Sequence, residues 1–157
     1  MIEVMGRRAG YIALWSGIAT GAEDILITEK KHDIDEEQII KEIISKRKIG
    51  KKHHIIVNAE GIGHSYEMAQ RIEAATGIEA RATIIGHIQR GGSPTCMDRV
   101  YASAMGALAA ELLCRGESNQ VVAHCQGEFM SCDIEKAIGM DKEIDPFIYR
   151  ISKKLSR

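Results

Sequence analysis

The sequence predicts an α/β protein in three layers, with a largely parallel sheet between helices. Two observations carry this. Short aliphatic runs alternate with longer stretches of helical periodicity along the chain. The clearest run, His54-Ile55-Ile56-Val57-Asn58-Ala59, is apolar without alternation, as in a strand covered on both faces. The size permits such a fold: 157 residues, 45% hydrophobic and 27% charged, can bury a core without staples from disulfides or metal. Residues 1–157 read as one domain.

The elements follow in order. Met1-Ile2-Glu3-Val4-Met5-Gly6-Arg7 enters an apolar stretch with almost no leader, like a strand cut open at its start, and suggests a piece of something longer. Arg8 to Thr20 carries Tyr11, Ile12, Leu14, Trp15 and Ile18 among Ala and Gly, apolar nearly all round, so a buried helix is expected, ended by Gly21. Ile25-Leu26-Ile27 reads as a short buried strand. Asp35 is an N-cap with Gln38 completing a capping box, Glu36 and Glu37 in the first turn, and Ile39, Ile40, Ile43 and Ile44 on one face. Lys46, Arg47 and Lys48 oppose the macrodipole and Gly50 supplies a left-handed end. After the Ile55 strand comes Glu60-Gly61, then a helix from Tyr66 to Thr76 stopped by Gly77. Ala80 to Ile85 is a further strand, followed by a Gly-rich loop from Gly86 to Pro94. Met97 to Arg115 is a long helix with Val100, Tyr101, Ala104, Met105, Leu108, Leu112 and Leu113 as its stripe, closed by Gly116. Val121-Val122-Ala123 is a strand, a helix runs near Asp133 to Met140, and Asp145-Pro146 starts a last helix with Phe147, Ile148, Ile151 and Leu155 as its apolar face.

Composition narrows the function classes. Lys+Arg number 21 against 22 Asp+Glu, so the chain as a whole has no electrostatic footprint for nucleic acid or membrane. The single Arg90-Gly91-Gly92 lacks the repeats and aromatics of an RNA-binding segment. Cys96, Cys114, Cys125 and Cys132 form neither a C-x-x-C pair nor a tight cluster with histidine, which argues against zinc and favours reduced thiols. No apolar stretch approaches a membrane span and the start has no signal-peptide pattern, so a cytoplasmic protein is expected. His53 and His54 are adjacent at the start of a strand and would face opposite sides, which denies them a shared metal. His64 and His124 are lone histidines, and Met68 and Met105 fit helix faces as core filler.

Chemistry concentrates in Arg81-Ala-Thr-Ile-Ile-Gly86-His87-Ile-Gln89-Arg90-Gly91-Gly92-Ser93-Pro94 and Asp98-Arg99. Guanidinium and imidazole donors flank a turn that lets backbone approach closely. That combination suits a phosphate ester, with Glu60 available to sugar hydroxyls beyond a neighbouring strand. The plainer alternative is a loop whose arginines form ordinary surface ion pairs and whose glycines serve tight turns.

These residues resemble the signature of the 6-phosphofructokinases. The match takes in Gly86-His87-Ile88-Gln89-Arg90-Gly91-Gly92 with Arg81 before it and Asp98-Arg99 after it. Further blocks agree: Glu3-Val4-Met5-Gly6-Arg7 with Gly10, Gly17-Ile18-Ala19, Gly21-Ala22-Glu23, Gly50-Lys51-Lys52-His53 and Ala59-Glu60-Gly61. The similarity is closest to the bacterial ATP-dependent type and weakens after about Arg115. It implies the C-terminal, sugar-phosphate-binding domain of such an enzyme. By that resemblance Met5, Gly6 and Arg7 contact fructose 6-phosphate and, through the arginine, the phosphates in transfer. Glu60 binds sugar hydroxyls, His87 and Arg90 hold the 6-phosphate, and Arg81 reaches the same phosphate in a neighbouring subunit, which implies a homo-oligomer, a homotetramer in the intact family. It also implies an allosteric nucleotide site from Gly21, Ala22 and Glu23, with Glu23 on the effector's magnesium, and from Lys51, Lys52 and His53 facing phosphates. Ile49 departs from the basic residue common there, and by residue type alone Lys51-Lys52-His53 is a solvated turn.

The family's Gly-rich ATP loops and its T-I-D-N-D base motif belong upstream of the block that opens this chain, and neither occurs here. Phosphoryl transfer from MgATP, giving ADP and fructose 1,6-bisphosphate, needs both. Alone, the chain is expected to be inactive. The alternatives are a stand-alone sugar-phosphate-binding module and a non-catalytic remnant that persists through oligomer contacts.

Overall fold

The computed structural model describes residues 1–140 and 143–155. They fall into two compact units where the sequence reading has one domain: Met1–Gly91 with Ile144–Arg157, and Gly92–Glu143.

The first unit is a four-stranded parallel sheet of order β2-β3-β1-β4, from β1 (Ile2–Val4), β2 (Asp24–Leu26), β3 (Ile56–Ala59) and β4 (Thr83–Ile84). Parallel neighbours need crossovers, and helices supply them on both faces. On one face Ala13 and Leu14 of α1 (Tyr11–Thr20), with Ile148 and Tyr149 of α6 (Pro146–Leu155), pack against Val4, Ile25, Val57 and Ala59. On the other, Ile39 and Ile43 of α2 (Glu36–Lys48), with Met68 and Ile72 of α3 (Ser65–Thr76), pack against Leu26 and Ile56. Successive residues of β3 thus serve opposite layers, and all four are buried, which is why that run is apolar without alternation. Asn58 is the polar exception. Its amide donates to Ser65 Oγ at 2.7 Å, and that hydroxyl bonds Glu3 Oε2 at 2.5 Å, so a buried polar chain ties β3, α3 and β1.

Several local expectations change. Helix α1 is buried on one side only: Ala13, Leu14 and Gly17 face the sheet, while Ile12 is 46% and Trp15 68% exposed. Asp35 caps α2 by accepting from Gln38 N–H at 2.9 Å, but the Gln38 side chain turns to Glu42, so the reciprocal half of the capping box is not formed. Gly21, Gly50 and Gly77 do end their helices at positive φ. The strand expected over Ala80 to Ile85 shrinks to Thr83–Ile84: Thr83 stands opposite Ile2, the first residue of β1, and at the other end Gly86 at φ +54 turns the chain into a 3-10 turn, Gly86–Arg90. Asp145 caps α6 through Phe147 N–H and Ile148 N–H; the Leu155 side chain lies outside the described residues.

The second unit holds α4 (Cys96–Cys114), β5 (Gln120–Cys125), β6 (Glu128–Asp133) and α5 (Ile134–Ile138). Its strands form an antiparallel hairpin, which adds β6 between the expected strand at Val121-Val122-Ala123 and the expected helix near Asp133. Cys125 pairs with Glu128 across Gln126 and Gly127, both at positive φ, the geometry of a two-residue hairpin turn. Helix α4 opens with a complete capping box between Thr95 and Asp98. Of its long stripe only Leu112 is buried, while Val100 and Leu113 are exposed.

Candidate functional site

Four chain segments leave the carboxyl edge of the parallel sheet, where ligands collect in this architecture. They are Met5–Arg7 after β1, Thr28 after β2, Glu60–Gly61 after β3 and Gly86–Arg90 after β4. Main-chain bonds fix them to one another: Glu60 N–H donates to Val4 O at 2.9 Å and Gly61 N–H to Gly6 O at 3.3 Å, and Thr28 Oγ1 donates to that same Gly6 O at 3.3 Å. Close approach explains one of the glycines. A Cβ on Gly61 would stand 2.2 Å from Arg7 O and 2.5 Å from Thr28 Oγ1. Gly6 has φ +144, and a Cβ there would meet Ala9 O at 2.4 Å.

The structure therefore brings Met5, Gly6, Arg7, Glu60, His87 and Arg90 to one edge of one unit. Arg7, His87 and Arg90 are exposed, and none makes a side-chain hydrogen bond or ion pair with another described residue. The plain reading, in which the arginines serve surface ion pairs, therefore fails for Arg90 but holds for Arg81, which pairs with Glu79. Two guanidinium groups and an imidazole without counter-charge, beside a half-buried carboxylate, can bind a dianion and orient hydroxyls on the group that carries it.

Arg81 is not in this group. It precedes β4, at the amino edge of the sheet, and pairs with Glu79 at 2.6 Å. The same edge carries the second expected set. Glu23, before β2, and Lys51, ahead of β3, form an ion pair at 2.5 Å, and the other Glu23 oxygen accepts from Ile55 N–H at 2.6 Å. A cation at Glu23 would have to replace Lys51. Among the described residues no group of three or more His, Cys, Asp or Glu side chains is placed to hold a metal ion. Lys52 and His53 are exposed, whereas His54 is mostly covered and meets Asp24, Nε2 to Oδ2 2.7 Å, a clip between β2 and the entrance of β3 that the sequence reading did not contain.

Burial pushes the Glu23 carboxyl up, but the Lys51 ammonium and the Ile55 N–H outweigh it and hold the group below its usual range. A carboxyl depressed in the folded state adds stability that is present above its unfolded value and lost as pH falls through the folded one. Lys51→Met is accordingly expected to cost about 1–2 kcal/mol near neutral pH. Urea titrations of both proteins should show the gap closing once the solution is acid enough to protonate Glu23. A gap independent of pH would contradict the assignment.

Three contributors escaped the sequence. Glu29 accepts from Gly10 N–H through both oxygens, at 2.9 and 3.0 Å, supplying the negative charge that the start of α1 otherwise lacks. No spacing rule joins residues so far apart. Thr28 buttresses Gly6. Gln89, although inside the signature, had no assigned role, and its Oε1 accepts from Met5 N–H at 2.7 Å.

The chain is similar to known proteins over nearly its whole length. The family described as phosphofructokinase matches residues 1–113. An ATP-dependent 6-phosphofructokinase of Clostridium botulinum (strain Loch Maree / Type A3) is 47% identical over 157 residues, all of this chain and 49% of that protein. One from Bacillus licheniformis is 49% identical over 156 residues, 99% of this chain and 48% of that protein. The chain thus spans about half the length of the curated relatives it matches. The crystal structure of Pichia pastoris phosphofructokinase in the T-state superposes with a TM-score of 0.75 at 25% identity, over 98% of this chain and 17% of that one.

Proposed function

The chain belongs to the phosphofructokinase family, and from that premise we propose that it is the sugar-phosphate-binding part of an ATP-dependent 6-phosphofructokinase of glycolysis. Met5, Gly6, Arg7, Glu60, His87 and Arg90 hold fructose 6-phosphate. His87 and Arg90 take the 6-phosphate, and Glu60 accepts from sugar hydroxyls. With both ends fixed, the 1-hydroxyl is held for in-line attack on the γ-phosphoryl of ATP, which Arg7 steadies as charge spreads over its oxygens. Magnesium enters this reading with the nucleotide, where it would offset charge on the phosphoryl group. The ATP loops and the group that takes the hydroxyl proton belong to the half of the enzyme that this chain does not span.

Arg81 acts on the phosphate of a neighbouring subunit in a homo-oligomer, in keeping with its position on the sheet edge opposite His87 and Arg90. Gly21, Ala22, Glu23, Lys51, Lys52 and His53 form an effector site for a nucleotide, whose magnesium would displace Lys51 from the ion pair that joins the two segments. No described helix is long and apolar enough to cross a membrane.

One observation carries the reading of the substrate site: the exits of β1, β3 and β4 converge at one sheet edge with Arg7, His87 and Arg90 free of counter-charge. Calorimetric titration of fructose 6-phosphate into the chain tests it. Saturable binding is expected, and Arg90→Ala should weaken it roughly 100-fold, the loss of one charge-assisted pair at the upper end of its range. Equal binding by the two proteins would refute the role given to Arg90, and no binding by either would exclude an autonomous sugar-phosphate module.

A further inference from the structure

We propose that Gln89 is a positioning residue that locks the two halves of the candidate sugar-phosphate site together, its side-chain amide standing in for a missing rung of the sheet. The proposal rests on the substrate reading above.

The ladder between β1 and β4 is parallel, with Glu3 opposite Ile84. Its bonds use alternate residues of β1: Thr83 N–H donates to Met1 O at 2.9 Å and Ile85 N–H to Glu3 O at 3.0 Å. Were β4 to continue, the next donor on this edge, Met5 N–H, would meet a carbonyl of β4. The strand cannot continue, because Gly86 at φ +54 folds the chain into the turn that carries His87 and Arg90. A half-buried N–H without a partner is costly. Gln89 reaches back from that turn and accepts the bond at 2.7 Å across 84 residues of sequence.

The bond has a particular place. Met5 opens the segment Met5-Gly6-Arg7, and Gln89 lies between His87 and Arg90. One hydrogen bond therefore sets the phosphate-holding turn against the segment that meets the sugar and the transferring phosphoryl. Gln89 need not touch ligand for this. Its loss should hurt a ligand that spans both segments more than one that needs the turn alone.

The test compares the full chain with Gln89→Leu and Gln89→Glu in two measurements. Hydrogen exchange by NMR reads the Met5 amide without any ligand: it should exchange faster in Gln89→Leu and recover protection in Gln89→Glu, whose carboxylate accepts the same bond. Titration then compares fructose 6-phosphate with inorganic phosphate. In Gln89→Leu the sugar phosphate should weaken roughly three- to tenfold, the net worth of one hydrogen bond, with inorganic phosphate changed much less. Met5 exchange unaltered in Gln89→Leu would overturn the proposal, and so would equal weakening of both ligands. If the unsubstituted chain folds and binds neither ligand, the chain is no autonomous sugar-phosphate site and the positioning role falls with that reading. Unchanged binding in Gln89→Leu beside loss in Arg90→Ala overturns the positioning role alone.

Discussion

Mixed with the amino-terminal half of one of its relatives, the chain is expected to gain phosphofructokinase turnover that neither piece shows by itself. The starting level is set by chemistry. Phosphoryl transfer works by holding nucleophile and phosphoryl in line, offsetting charge on the transferred group and removing the hydroxyl proton. The carboxyl edge of this sheet offers arginine, imidazole and one carboxylate suited to the first task and part of the second, and Glu60 is the only acid among the residues assigned there. The chain spans about half the length of its relatives, and the proposed function assigns the remaining groups to the other half. Both units also leave apolar surface to be covered: Ile12, Trp15 and Ile88 in the first, and Met97, Val100, Leu113, Ile138 and Met140 in the second. Where such side chains adjoin in one patch they mark an association face. In a coupled assay the mixture should reach on the order of 1 s⁻¹ where each half stays at background. Arg7→Ala in this chain should silence the mixture while leaving association intact, as read by light scattering. A mixture that associates and folds yet turns nothing over would remove the enzymatic reading.

How much of this was legible in the sequence depended on distance along the chain. The parallel sheet could be read because burial on both faces leaves an unbroken aliphatic run, as in Ile56 and Val57, and because Asp35, Gly50 and Gly77 mark helix ends locally. The hairpin was missed since its turn is Gln126-Gly127, where Asn-Gly is the stronger signal, and since Cys132 and Ser131 gave β6 little aliphatic character. Helix α1 misled for another reason: periodicity reports which residues are apolar, not whether a layer exists to cover both sides, and Trp15 has none here. At the site, His87, Arg90 and Glu60 were found by residue type and position after strands. Glu29 on Gly10, His54 on Asp24 and Gln89 on Met5 were not, because each bond joins segments that only the folded sheet makes neighbours.

Gly61→Ala should cost about 3 kcal/mol and impair fructose 6-phosphate binding in the remaining folded protein. The added methyl would sit 2.2 Å from Arg7 O and 2.5 Å from Thr28 Oγ1. Thr28 can rotate away at the loss of its bond to Gly6 O. Arg7 O cannot yield without moving the exit of β1, whose position is fixed by Gly61 N–H on Gly6 O and by Gln89 on Met5 N–H. Relief of the clash therefore shifts the segment that carries Arg7, so stability and affinity fall together. Gly77→Ala is the control. Gly77 sits at the end of α3 with φ +65 and nothing within 4 Å of a built Cβ, so its penalty is the left-handed backbone alone, about 1 kcal/mol. Denaturant midpoints and ligand titrations on the two variants separate the causes. Equal losses of stability with equal affinity would mean that the close approach at Gly61 is relieved without moving the segment that carries Arg7, and a Gly61→Ala protein that is destabilised more than Gly77→Ala but binds normally would detach Arg7 from the ligand site.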